Sequence, residues 1–195
     1  LQTALEISNN IKNLHKIYLA EVYTTLGEIY RRIGDSENAL NYIKESILIF
    51  EDYFDENSLK LAGQYSNLGH IYKTFGQTNK SLDFFLKALK IIESSESDYK
   101  ADYVYKGLAE IHQIKGNYKK SLEFFKKTLY LRKKFFEDNN PLIAQSYNDL
   151  GFIYAVIDMR EKAVPLYIEA IKRYEYTLGE NHIDTASVYN NLGET

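Results

Sequence analysis

The chain contains no Cys, which excludes disulfides and thiolate metal sites and permits a reducing compartment; the expected location is cytoplasmic. Pro occurs twice and Gly ten times in 195 residues, and 45% of the residues are hydrophobic, the make-up of a folded chain with a continuous core and not of a disordered segment. A charge excess is missing too. The 24 basic and 27 acidic residues leave a formal charge of −3, without the basic surplus that a phosphate backbone demands, so nucleic acid is not an expected partner. The longest apolar runs, such as Ile47 to Phe50, fall far short of the roughly 20 residues that span a bilayer, and no membrane partner is expected. Residues Leu1 to Lys12 lack the basic start, apolar middle and small-residue cleavage site of a secretory signal. The four His residues include no pair with zinc-ligand spacing such as His-Glu-x-x-His. No Gly-x-Ser-x-Gly, phosphate-loop or dinucleotide Gly pattern occurs. No metal, cofactor or catalytic site is therefore expected, and the chain is read as non-enzymatic.

What the sequence does contain is a repeat. Leu26-Gly27-Glu28-Ile29-Tyr30 returns as Leu68-Gly69-His70-Ile71-Tyr72, Leu108-Ala109-Glu110-Ile111-His112 and Leu150-Gly151-Phe152-Ile153-Tyr154, and a fifth copy opens at Leu192-Gly193. Between the Gly or Ala positions the steps are 42, 40, 42 and 42 residues. Each signature lies in a helical pattern, as in Tyr23, Leu26, Tyr30 and Ile33 or Tyr65, Leu68, Tyr72 and Phe75, which defines a helix A. Seven residues after the signature position stands Gly34, Gly76, Gly116 or Asp158, where the helix should end in left-handed geometry. A second apolar period, helix B, starts at Ala39, Ser81, Ser121 and Ala163.

Gly inside a helix costs about 1 kcal/mol relative to Ala, so its recurrence needs a reason. Gly27, Gly69, Ala109 and Gly151 are expected to let helix B approach closely, with Ala39, Ser81, Ser121 and Ala163 as the matching small surface. Polar turns are expected at Glu51 to Ser58, Glu93 to Asp98, Glu137 to Asn140 and Gly179 to Asp184, with Pro141 in the first turn of the fourth helix A.

These positions resemble the tetratricopeptide repeat, whose succession of aromatic, Leu-Gly, Tyr, small residue and large residue is met by Tyr23, Leu26, Gly27, Tyr30, Ala39 and Ile43 and by their equivalents in the later units. The period is near 42 where the family's is roughly 34, and the closing Pro after helix B is absent, both consistent with helices longer by about a turn. Leu178-Gly179-Glu180-Asn181-His182 and Asn190-Asn191-Leu192-Gly193 look like the kinesin light chain subtype. The resemblance implies an all-α, right-handed α-solenoid of antiparallel helix pairs. The register divides it into 1–15, the end of a preceding helix B; 16–56, 57–96, 97–138 and 139–180, repeats 1 to 4; and 181–195, the start of repeat 5. A longer array on both sides is expected, with array ends that offer a surface for self-association.

The resemblance also implies a protein or extended peptide partner, held on a concave wall built from helices A. Outward positions on that wall include Thr24 and Ser66, and the expected peptide-binding residues are Asn67, His70, Lys73, Tyr103, Lys106, Asn148, Phe152 and Asn191. In the subtype, the Asn before Leu-Gly brackets a peptide group, a role that carries to Asn67 and Asn191; Thr25, Gly107 and Asp149 occupy that place in the other units. His112 stands where the other repeats have Tyr and is expected to be a packed ring. The expected function is a protein interaction scaffold; a regulatory or sensor arm of a larger signalling ATPase or kinase, or a structural spacer, are the alternatives.

Overall fold

A computed structural model describes residues 2–95, 98 and 101–195, with side chains from residue 14 onward. Among these residues there are nine helices and no strand: α1 (Gln2–Arg32), α2 (Ser36–Tyr53), α3 (Leu59–Thr74), α4 (Thr78–Ser94), α5 (Ala101–Ile114), α6 (Tyr118–Phe135), α7 (Pro141–Val156), α8 (Arg160–Leu178) and α9 (Ile183–Gly193). None of them is long and apolar enough to cross a membrane. The chain divides into two compact units, Leu1–Lys100 and Ala101–Thr195. In the first, α1 packs on α2 and α3 on α4; in the second, α5 packs on α6, α7 on α8, and α9 follows α8.

The turn inside each helix pair is made the same way four times. Gly34, Gly76 and Gly116 adopt φ of 83°, 72° and 72°, and Asp158 adopts 58°. The N–H of the next residue then donates back to the carbonyl of Tyr30, Tyr72, His112 or Tyr154, at 2.9, 2.8, 2.8 and 2.8 Å. Two of the carbonyls stranded at a helix end are satisfied in this motif, and the chain is turned back on itself.

The returning helix B meets the signature position at close range. A methyl group at Gly69 would lie 3.0 Å from the Phe85 ring, and one at Gly151 would lie 2.9 Å from the Tyr167 ring. At Gly27 the nearest atoms are the Ala39 carbonyl oxygen at 3.3 Å and Ile43 Cβ at 3.4 Å. The residue that fills the glycine notch is thus mainly the large one, four places beyond the small residue expected to do so. The small residues have their own role: Ser81 is buried and its hydroxyl donates to the Gly69 carbonyl at 2.7 Å. Beside the first three notches a second ring pair closes the hairpin, and the fourth repeat has Leu166 in the place of the second ring. Tyr30 stacks on Tyr42 (5.4 Å), Tyr72 on Phe84 (5.5 Å) and His112 on Phe124 (5.7 Å).

Successive pairs are joined through polar contacts as well as apolar ones. In the first unit the Ser46 hydroxyl of α2 donates to the Ala20 carbonyl of α1 at 2.7 Å inside the first pair, and the Thr24 hydroxyl beside it donates across to Gln64 Oε1 of α3 in the next pair at 2.8 Å. Thr24 therefore serves the joint between repeats, and Ser66, 1% exposed, is buried in α3; neither is an open wall position. In the second unit Arg132 of α6, 2% exposed, pairs with Asp102 of α5 at 3.1 Å. It also donates to the Leu142 carbonyl (2.8 Å) and Ser146 Oγ (2.9 Å) of α7. The register positions equivalent to Arg132 hold Phe50, Ile92 and Tyr174, and those equivalent to Asp102 hold Ala20, Ala62 and Ala144. One repeat has exchanged a large apolar side chain over Ala for an ion pair.

Two further points differ from the expected pattern. Ile33 is 68% exposed, because α1 ends at Arg32 and Ile33 belongs to the turn. Also, α1 runs unbroken past residue 15, where the register places the end of a preceding helix B; no Gly or Pro precedes Gly27 to interrupt it. Pro141 occupies the first turn of α7, with the Asn140 side chain capping Leu142 N–H at 2.9 Å. The expected boundary at 96–97 lies outside the described residues.

Two expectations for stability follow. Gly151→Val should lower stability by about 2 kcal/mol, since the Tyr167 ring is 1% exposed and has nowhere to retreat. Gly63→Ala, where no atom lies within 4 Å of a new methyl, should raise it by about 0.5–1 kcal/mol. Thermal melts of the two variants should move in opposite directions. Arg132→Tyr alone should destabilise by about 3 kcal/mol by stranding Asp102, whereas Arg132→Tyr with Asp102→Ala should return to wild-type stability or above it, because the pair then matches the Tyr174 and Ala144 arrangement. A double-mutant cycle in urea reads the difference.

Candidate functional site

The exposed sides of the A helices were the expected binding wall, and each unit presents its own. In the first unit Asn67, His70 and Lys73 follow one another at three-residue steps on α3, two half-buried and one buried. His70 is 8% exposed and stands edge-on to Phe85 at 4.8 Å, so it packs into the helix pair where a groove contact was expected. Its neighbour Thr74 receives a hydrogen bond from Arg31 Nη1 of α1 at 3.1 Å. Arg31 also grips Glu28 in a two-pronged pair at 2.7 and 2.6 Å, and the Arg31 hydrogen bonds hold the Glu28 carboxyl below its usual range. This wall therefore carries a fixed cation and carboxylate where α1 meets α3.

In the second unit Tyr103 and Lys106 lie on α5, Asn148 and Phe152 on α7, and Asn191 on α9. Lys106 pairs with Glu110 one turn on at 3.3 Å. Tyr103 and Phe152 leave 38% and 39% of their surface exposed. The structure brings Asn148 and Asn191 together across α7 and α9, with Asn191 Nδ2 donating to Asn148 Oδ1 at 3.0 Å. That leaves the Asn148 amide donors and the Asn191 amide acceptor without another partner among the described residues. Reversing both amides would exchange the roles and still leave one donor group and one acceptor.

The second interior histidine, His112, is 9% exposed and stacked on Phe124, as its replacement of Tyr in the register implied. Burial pushes its proton affinity below the ordinary 6.5, and the charges of Lys120 and Lys115 push it the same way. It is a packing residue. No group of three or more His, Cys, Asp or Glu that could hold a metal ion occurs among the described residues.

The model of the tetratricopeptide repeat matches residues 18–94 and 101–175, the greater part of the chain. The chain belongs to the tetratricopeptide repeat family. Its solved relatives agree with the helix-pair architecture. BtubC (BKLC) from P. vanneervenii is similar over 99% of this chain and 77% of its own, at 22% identity and a TM-score of 0.81. Nearly identical TPR-like repeats from Podosopora anserina, described as those of a kinesin light chain, cover 92% of this chain and 86% of their own, at 16% identity and a TM-score of 0.76. A signal transduction ATPase with a tetratricopeptide repeat sensor, from Pyrococcus horikoshii, covers 89% of this chain with 26% of its own length, at 22% identity and a TM-score of 0.73. No curated protein sequence matches the chain. At these identities the likeness is one of fold, an α-solenoid of antiparallel helix pairs.

Two features of this tetratricopeptide chain escaped the sequence reading. The Arg132 and Asp102 pair was one, and its signal was available: two charged residues on positions that are apolar in every other repeat. The Arg31 bridge to Thr74 was the other, and no spacing rule points to it because it depends on how neighbouring pairs are set against each other.

The His112 environment fixes a sign. Its folded-state proton affinity is depressed, so as pH falls through 6.5 the unfolded chain takes up the proton more readily and stability is lost on the acid side. Replacing it by the residue of the sister repeats, His112→Tyr, should remove that loss. Thermal midpoints of the two proteins should diverge between pH 7 and 5, with the variant falling less.

Proposed function

We propose that this tetratricopeptide chain is a non-catalytic interaction module that binds an extended peptide of a protein partner on the walls of its A helices. The observation that carries the reading is the Asn148 and Asn191 pair, which sets one donor group and one acceptor side by side on adjacent helices. An extended peptide offers a complementary carbonyl and N–H at every residue, so such a pair grips the main chain whatever the side chains are. Phe152 lies one turn from Asn148 on α7 and is a candidate apolar anchor. Lys106 beside Glu110, and Arg31 beside Glu28, give the walls mixed charge, which favours a ligand that is neither strongly acidic nor strongly basic. In the first unit, Asn67 and Lys73 are the candidate contacts on the wall of α3.

Peptides selected by display against the wild-type protein supply the probe. Asn148→Ala with Asn191→Ala should weaken a selected peptide by about ten-fold, the worth of two hydrogen bonds of about 0.7 kcal/mol each. Phe152→Ala should cost a similar factor, and Tyr176→Ala, 76% exposed on α8, should cost nothing. Selected peptides that bind both wall variants at full strength would overturn the reading.

A further inference from the structure

The outer side of α6 carries a feature that neither the repeat nor the A-helix walls account for. Lys119-Lys120, Lys126-Lys127 and Lys133-Lys134 recur at seven-residue intervals, and all six side chains are exposed. Seven residues are close to two turns, so the lysines form two nearly straight rows, with neighbours in a row about 10 Å apart. Between the rows lie Glu123 and Tyr130, the latter 66% exposed. The opposite face of the same helix, with Ser121, Phe125, Thr128 and Leu131, is buried.

The fold does not require this face to be basic. At the same register positions α2 has Glu37, Asn38, Lys44, Glu45, Glu51 and Asp52. A chain of formal charge −3 has thus concentrated seven cations against one acid in a single helix. Lys119, Lys120, Lys126, Lys127 and Lys133 form no ion pair with any described residue. Lys127 lies over the Tyr105 ring at 5.1 Å and Lys126 over Tyr154 at 5.9 Å, contacts that hold their stems in place and leave the charges at the surface. The positive field reaches inward as well: after burial, Lys120 is the largest influence disfavouring the protonated form of His112.

We infer that the outer face of α6 is a second docking surface, and that its partner is an acidic amphipathic helix of another protein. A helix laid along α6 meets the seven-residue period with its own, and carboxylates flanking its seam would face both lysine rows. Tyr130 supplies the ring that an apolar seam residue covers, and Glu123 selects a cation opposite it. A polyanion suits the strip less well, since Glu123 would face phosphate and the remainder of the chain is acidic. A membrane suits it less well too, since the rows enclose a single ring and no aliphatic side chain.

The test is fluorescence anisotropy with a synthetic three-heptad helical peptide that carries Glu on both flanks of a Leu seam. Its comparators are a scrambled peptide of the same composition, a short DNA duplex and phosphatidylserine vesicles. The acidic helix should bind most tightly and weaken with salt. Lys119→Glu with Lys126→Glu and Lys133→Glu should weaken it by about ten-fold or more, while Lys44→Glu with Lys90→Glu and Lys172→Glu, an equal change of net charge at exposed sites elsewhere, should stay within about two-fold. A peptide with Lys in place of Glu on one flank alone, the other flank keeping Glu for the row Lys120, Lys127 and Lys134, should bind the reversed variant more tightly than the wild type. Circular dichroism confirms that both triple variants keep their helices, as six exposed positions allow. Absence of binding, equal binding of the scrambled peptide, equal loss in the control variant, or tighter binding of DNA or vesicles would each overturn the inference.

Discussion

Everything in each helix pair follows from the contact between a large side chain of helix B and a bare backbone on helix A. Phe85 over Gly69 and Tyr167 over Gly151 leave no room for a methyl group without movement, and Phe125 against Ala109 shows the same contact with one methyl admitted. The approach sets the separation of the two helices, and the separation places the flanking rings, Tyr30 on Tyr42 and Tyr72 on Phe84, in stacking range. A glycine in mid-helix weakens the isolated helix. It persists because the buried ring area it admits outweighs that local cost. Sequence becomes architecture at this point, and the left-handed residue seven places later completes the hairpin by returning the chain at the right distance.

Much of this was legible because it is periodic. Helix pairs, their left-handed terminators at Gly34, Gly76, Gly116 and Asp158, and the first-turn position of Pro141 all rest on local rules of backbone geometry. The details that escaped depend on contacts between helices. The glycine notch is filled from the position of Phe85 or Tyr167 and not from the small residue four places earlier, a matter of which side chain leans over which turn. His70 looked like a wall residue on its helix, yet the Phe85 ring beside it forms a pocket that takes it in. Among the expected binding residues, Asn148 and Asn191 are in direct contact with each other, and that contact joins two repeats that no single-helix pattern relates.

Charge was read least well, for a physical reason. Net charge is a sum, and a sum near zero hides both a buried pair and a segregated face. Arg132 and Asp102 replace a large apolar side chain and an Ala at one joint and leave the total unchanged. Burying them requires the desolvation of both groups to be offset by near-ideal geometry, which the Leu142 carbonyl and Ser146 hydroxyl help provide. On the outer side of the same helix the six lysines are balanced in the total by acids elsewhere. Comparing equivalent positions between repeats, instead of adding charges along the chain, exposes both features.

A stack of this kind separates its tasks by helix face. The inner faces must keep the notch and the close approach of the pair, and outside the Arg132–Asp102 exchange and Leu166 they vary little from one repeat to the next. The A-helix walls and the outer faces of the B helices are free of those demands, so differences between repeats there are informative about partners in a way that core differences are not. By that criterion α6 stands out more than any wall residue. Its core face keeps the repeat's small and aromatic positions, Ser121 and Phe125, while its outer face departs from that of α2 at almost every exposed place. Packing explains the first set, and it leaves the second to be explained by something outside the chain.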